Sequence, residues 1–101
     1  MTPRYEIRVS RRATRDIERA REWWSRHREQ ASRAVAEEIE RAFQLLEVHP
    51  GVGTIVLGTR ITGVRRLHLD RVHYYLYYRI TGETVDVLAL WHTSRGTEPR
   101  V

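Results

Sequence analysis

The chain contains no cysteine and no lysine. Without cysteine, disulfides, thiolate metal sites and thiol nucleophiles are excluded, and a reducing compartment is compatible. All eighteen basic residues are arginine, a bias that a GC-rich coding sequence also produces and that carries little functional weight alone. No apolar run approaches the roughly 20 residues needed to cross a bilayer. The opening residues, MTPRYEIRVS, lack the apolar stretch of a secretory signal, so a soluble cytoplasmic protein without a membrane partner is expected. The five histidines include no i, i+4 pair, and there is no glycine-rich phosphate loop; no metal and no cofactor are expected. Internal repeats and low-complexity tracts are missing as well.

What is present fits one domain spanning residues 1–101, long enough for a modest core without crosslinks. The net charge is +5 and the isoelectric point about 10.4. Residues 1–50 hold eleven arginines against nine acidic residues, residues 51–101 seven against four. The first half therefore reads as salt-bridge-laced helix surface, and the second carries basic residues with fewer local partners. Such a balance favours an anionic partner, either nucleic acid or an acidic protein.

Tyr5, Ile7 and Val9 alternate with Glu6 and Arg8, the period of a half-buried strand. Ser10 offers an N-cap hydroxyl. Ala13, Ile17, Ala20 and Trp24 then recur at spacings of four, three and four, which predicts a helix over about 11–27 with Trp23 widening its apolar stripe. Val35, Ile39, Ala42, Phe43 and Leu46 mark a second helix over about 29–48, stopped at His49-Pro50-Gly51 because proline disfavours helical geometry in the residue before it. A polar connection around 27–29 folds the two back as an antiparallel hairpin. Residues 51–63, with four glycines, read as a loop holding at most one short strand.

The back half supplies three strand-forming runs: a basic one over 65–69, then 71–80 and 84–91, the last two joined by the hairpin signal Thr81-Gly82-Glu83. The expected fold is α+β: an N-terminal strand and an antiparallel helical hairpin packed on one face of a small, mainly antiparallel sheet of about four strands. Strand parity puts Leu67 and Leu69 towards the helices and Arg66, His68 and Asp70 on the opposite face. It places Tyr74, Leu76, Tyr78 and Ile80 inward, and Tyr75, Tyr77 and Arg79 beside Arg66 and His68. In the last run Val85, Val87, Ala89 and Trp91 alternate with Asp86, Leu88, Leu90 and His92. Both sets are apolar enough for a central strand, so parity leaves its faces open.

The order strand, helical hairpin, glycine-containing loop, then GVRRLHL, YYLYYRI and VDVLALWHTSRG resembles the RelE/ParE superfamily of bacterial type II toxins over essentially the whole chain, closer to its ParE-like branch. The three motifs carry the resemblance together rather than singly. It implies a toxin encoded beside a cognate antitoxin, whose C-terminal segment, acidic to suit the charge of this chain, wraps and blocks it in a hetero-oligomer. ParE-like members inhibit DNA gyrase by binding. RelE-like members are endoribonucleases that cut messenger RNA in the ribosome, and that target is the alternative expectation.

Ribonuclease chemistry needs a base for the 2′-hydroxyl, an acid for the leaving oxygen and cations for the phosphate. Arg66, His68 and Arg95 match positions where RelE-like nucleases carry basic residues, and His92 lies near a position where some carry a catalytic histidine. The arginine such nucleases carry early in the third strand is matched here by Tyr75, and no tyrosine follows Tyr78. A nuclease would have to rebuild its site from Arg66, His68, Tyr75, His92 and Arg95. As a binding protein the chain would use Arg65, Arg66, Arg79, Arg95 and Trp23 to contact target or antitoxin. Each has a plainer reading: an ion-paired surface arginine, a solvated histidine, a cross-strand packing tyrosine, a tryptophan at the core rim.

Overall fold

The structure, a computed structural model, describes residues 4–101. The chain runs through β1 (Glu6–Val9), α1 (Arg11–His27), α2 (Ala34–Val48), β2 (Thr54–Ile55), β3 (Val64–Leu69), β4 (Tyr74–Thr81) and β5 (Thr84–His92), with 3-10 turns at Glu29–Ala31 and Pro50–Val52.

The helix α1 has the bounds expected from its cap and stripe. The Ser10 hydroxyl accepts from the Ala13 N–H at 3.0 Å, filling one of the donors orphaned at a helix start. Its backbone N–H donates to Val87 O at 3.0 Å and its hydroxyl to Leu88 O at 3.3 Å. One residue thus turns the chain from β1 into α1 and ties that corner to β5. The second helix begins at Ala34 rather than near residue 29. Arg28 leaves helical geometry at φ −136°, ψ 65°, a tight 3-10 turn follows, and Arg33 enters α2 with no side-chain cap. Reversing the chain overrides the good helix formers at 29–31.

The sheet has five strands in the order β1-β5-β4-β3-β2. Three strands of the expected set pair antiparallel, and the short strand in the glycine loop adds β2 on β3. β1 pairs with β5 in parallel, Ile7 opposite Val85, since the hairpin and the rest of the sheet supply the long crossover that parallel neighbours need. β4 starts at Tyr74, three residues later than its composition predicts. Residues 70–73 instead close a turn in which the Val72 and His73 N–H groups donate to Leu69 O at 3.2 and 2.9 Å, with His73 left-handed at φ +62°. At the other hairpin Gly82 takes φ +59°, as a two-residue turn with glycine first requires.

One face of the sheet packs on the helices through Leu69, Leu76, Tyr78, Val85, Val87 and Leu90 against Ala13, Ala20, Val35, Ile39, Ala42 and Leu46. Strand parity held for β3 and β4. In β5 it breaks: Tyr77 pairs with Ala89 but Tyr78 with Val87, leaving Leu88 as an extra residue. This bulge turns Val85, Val87 and Leu90 to the helices and Leu88, Ala89 and Trp91 to the other side. Much of that outer side is covered rather than open. Val64, Tyr77 and Ala89 are buried there under Val56, Ile61 and Val101, because the 56–63 loop and the C-terminal tail fold across it.

Tyr78 links the hydrophobic core to the loop after α2. Its hydroxyl donates to Pro50 O at 2.6 Å and accepts from the Gly53 N–H at 2.8 Å; burial pushes its phenol pKa up. A Cβ on residue 53 would lie 2.5 Å from that oxygen and 2.9 Å from Arg66 O, so glycine is required by space. Tyr78→Phe leaves the buried Gly53 N–H and the part-buried Pro50 carbonyl without this partner, and should lower stability by about 1–3 kcal/mol in denaturant unfolding. A loss within about 0.5 kcal/mol, the range of an ordinary surface change, would contradict this role.

Candidate functional site

Two adjoining basic cavities flank the end of β5. The smaller, about 180 Å³, lies on the outer face and is lined by Arg66, Tyr75, Tyr77, Trp91, His92, Arg95 and Glu98 among others. Two guanidiniums dominate it. The Arg66 carbon lies 4.2 Å from the centroid of Tyr75, and that of Arg95 4.2 Å from Trp91. Cation–π contact holds both groups in place and leaves their N–H edges able to donate. Arg66 also reaches the Tyr77 hydroxyl at 3.5 Å and the Glu98 carboxylate at 3.6 Å. The Tyr77 hydrogen bond raises the Arg66 pKa, so this charge is permanent.

Glu98 belongs to a tail that straps the outer face. The Trp91 indole N–H donates to Thr97 O at 2.7 Å, the Arg60 N–H to Val101 O at 2.7 Å, and the Arg12 guanidinium to Arg100 O. Pro99 is buried, and Val101 packs against the outer core. The tail thereby adds a second carboxylate to the face on which parity placed Arg66, His68 and Asp70.

Of the expected site residues, Arg66, Tyr75, His92 and Arg95 do line one cavity. His68 sits at its margin, 5.0 Å from the Tyr75 ring and paired with Asp70 at 3.2 Å. Arg65 is elsewhere: its guanidinium donates to Gly51 O at 3.2 Å and Gly53 O at 2.8 Å, bracing the loop after α2. Arg79 lies on the outer face but at the far end of its strand, opposite Val64, with its Nε buried and unpartnered among the described residues. Trp23, expected to widen the buried stripe, is 43% exposed, while Trp24 packs on the core. Tyr77, Trp91 and Glu98 were not foreseen as site residues. Trp91 and Tyr77 were visible as aromatics on possible outer positions; Glu98 left no signal.

His92 stands between the two cavities. The Ser94 N–H, 3.1 Å from Nδ1, can only donate, and the Ser94 hydroxyl lies 2.6 Å from the same atom. Nδ1 is therefore an acceptor, and the neutral ring carries its proton on Nε2. Burial, then His73 and Arg95, lower its pKa. A neutral imidazole whose free lone pair is already used cannot serve as a general base from that atom.

The larger cavity, about 640 Å³, is a groove between α1 and the ends of β4 and β5. Arg12, Arg15, Asp16, Arg19 and Trp23 form its helical wall, and Tyr74, Leu90, Trp91, His92 and Arg95 the other. Asp16 is fixed by accepting the Leu90 N–H at 3.1 Å. Among the described residues no group of three or more His, Cys, Asp or Glu side chains is arranged to hold a metal ion, and no helix is long and apolar enough to cross a membrane.

Residues 7–96 match the family model described as ParE toxin of type II toxin-antitoxin system, parDE. No curated protein matches at comparable significance. Among solved structures, a chain of the chromosomal ParDE TA system from P. aeruginosa superposes with TM-score 0.71 at 21% identity, covering 89% of this chain and 97% of the other. The RelBE2 toxin-antitoxin complex from Mycobacterium tuberculosis gives 0.65 at 26%, over 94% and 98%, and the YoeB dimer from Staphylococcus aureus 0.59 at 13%, over 88% and 97%. The first and third likenesses establish the shared fold.

The His92 environment fixes the sign of a pH effect. A histidine held neutral in the folded state contributes stability fully above its ordinary pKa, and that stability falls as pH drops from there towards the lower folded value. NMR titration should place His92 below an unperturbed histidine, with Arg95→Gln moving it back up. Titration at or above the ordinary value would contradict the geometry.

Proposed function

The chain belongs to the ParE toxin family of type II toxin-antitoxin systems, and from that premise we propose that it arrests growth by binding DNA gyrase in the cytoplasm and is silenced by a cognate antitoxin. The observation that carries this reading is the state of the outer cavity. Arg66 is engaged by Tyr75, Tyr77 and Glu98, His68 by Asp70, and Nδ1 of His92 by Ser94. No imidazole is left poised beside an open phosphate position. At about 180 Å³ the cavity also falls below the roughly 300 Å³ at which ligand pockets begin. A surface of fixed charges suits docking better than acid–base chemistry.

The edge at β2 is where the antitoxin docks in this reading. β2 ends the sheet with one side unpaired, and Val52, Ile55 and Leu57 around it are exposed, Leu57 at 86%. An extended antitoxin segment adding a strand there would cover these side chains, and acidic residues in it would be drawn to a chain of charge +5. The RelBE2 protein is itself described as a toxin-antitoxin complex.

A second reading, ribosome-dependent message cleavage, is favoured by one observation: Arg66, Tyr75, His92 and Arg95 share a cavity. In that case replacing Arg66 and His68 together would abolish cleavage.

Two outcomes are expected in solution. Excess purified chain should inhibit gyrase supercoiling, and equimolar antitoxin should restore it; normal supercoiling and DNA cleavage at toxin excess would sink the gyrase assignment. Deleting the acidic C-terminal part of the antitoxin should weaken the complex at least tenfold by calorimetry, and undiminished binding would remove the proposed docking chemistry.

A further inference from the structure

We propose that the groove between α1 and the end of β5 binds a single-stranded nucleic-acid segment, with phosphates on Arg15, Arg19 and Arg95 and a base against Trp23. This goes beyond the choice of target and does not depend on it.

The arginines of the groove are not explained by the stability of the helix. Towards the end of α1 Arg26 is neutralised within the helix by Glu22 at 2.6 Å. Among the described residues Arg15, Arg19 and Arg95 form no ion pair. Arg12, Arg15 and Arg19 follow one another at spacings of three and four on one helix face, where like charges repel. The first turn has no acidic residue to complement the positive end of the helix dipole. Asp16, the one carboxylate in the groove, is held by the Leu90 N–H and faces Arg12 at 3.9 Å. An anion from outside the chain is what this face lacks.

The rings identify the class of anion. Trp23 is exposed yet held, stacked on His27 at 4.6 Å with a 12° interplanar angle, and Arg28 lies 5.4 Å from its centroid. A flat ring kept in place at the rim of an arginine-lined groove is the arrangement by which single strands are bound: stacking for the base, guanidinium for the backbone. A duplex would offer no free base faces. At about 640 Å³ the groove lies within the range of built ligand sites. It shares Trp91, His92 and Arg95 with the outer cavity, which gives a strand a continuous basic path from α1 towards Arg66.

An acidic peptide fits less well. Peptides commonly gain affinity by adding a strand to a free edge. The part of β5 that runs past β1 has that option closed, because Leu88 O is taken by Ser10 and the Leu90 N–H by Asp16.

The test is fluorescence anisotropy of the purified full chain with labelled oligothymidylate and oligouridylate of about six nucleotides, with hexaglutamate as competitor, over a salt series. The expected result is binding with quenching of tryptophan emission and no displacement by hexaglutamate at matched charge. Arg15→Ala with Arg19→Ala should weaken binding at least about tenfold and flatten the slope of log K against log salt by about 1.4, at about 0.7 per lost phosphate contact on a single strand. Trp23→Ala should weaken binding about tenfold with the slope unchanged. Arg33→Ala, a loss of one charge at the start of α2, should change affinity little. Preference for the deoxy or the ribo oligomer supports the proposal and names the source of the strand. No binding at low salt, tighter binding of hexaglutamate, or an Arg33→Ala loss as large per charge as that at Arg15 and Arg19 would overturn it.

Discussion

The structure depends on burying two consecutive tyrosines on opposite faces of one strand. Tyr78 is fully buried on the helical side and Tyr77 almost fully on the outer side, so β4 is the partition between two cores. Neither phenol is left unpaired: Tyr78 bridges Pro50 and Gly53, and Tyr77 meets Arg66. A strand with one wet face could not do this. The outer tyrosine needs its own cover, which the 56–63 loop and the tail provide, and the opposing β5 bulges at Leu88 so that Val87 and Leu90 face the helices and Ala89 and Trp91 face outward. The scaffold and the basic site are therefore parts of one packing solution.

That solution also shapes the electrostatics. Covering the outer face leaves a small cavity in which each guanidinium lies on a ring and one carboxylate is supplied by the tail. The open basic surface is displaced to the α1 groove, where several arginines have no carboxylate of their own. A protein of charge +5 thus divides its cations into an engaged set behind β4 and a free set along α1. The engaged set holds the tail in place; the free set is available to a partner.

Much of this was legible in the sequence. A serine cap followed by an apolar stripe fixed α1 to the residue, and strict alternation in the third and fourth strands placed Arg66, His68 and Tyr75 together. The motifs GVRRLHL, YYLYYRI and VDVLALWHTSRG pointed to the superfamily to which the match over residues 7–96 leads. Other features had no local signal. Strand order is a property of long-range pairing, so the parallel β1–β5 contact was invisible. The bulge hid the faces of β5, since both of its alternating sets are apolar. Residues 71–73 favour a strand by composition but close a turn through Leu69 O. The tail offers only Pro99 and Val101 as apolar residues, too few for a period, yet these pack on the sheet and carry Glu98 into the site. Trp23 continued the helical stripe on paper, but its position on α1 falls at the groove rim.

The outer cavity suits a binder: Nδ1 of His92 is taken by Ser94, the Tyr77 phenol meets Arg66, and the Arg66 and Arg95 guanidiniums lie on aromatic rings. The most direct measurement is to express the chain without its antitoxin and follow, in the same cells, the DNA-damage response and the integrity of translated messages by primer extension. The account predicts a damage response with messages intact. Codon-positioned cuts in translated messages without a damage response would contradict it and make the Arg66 cavity a catalytic one.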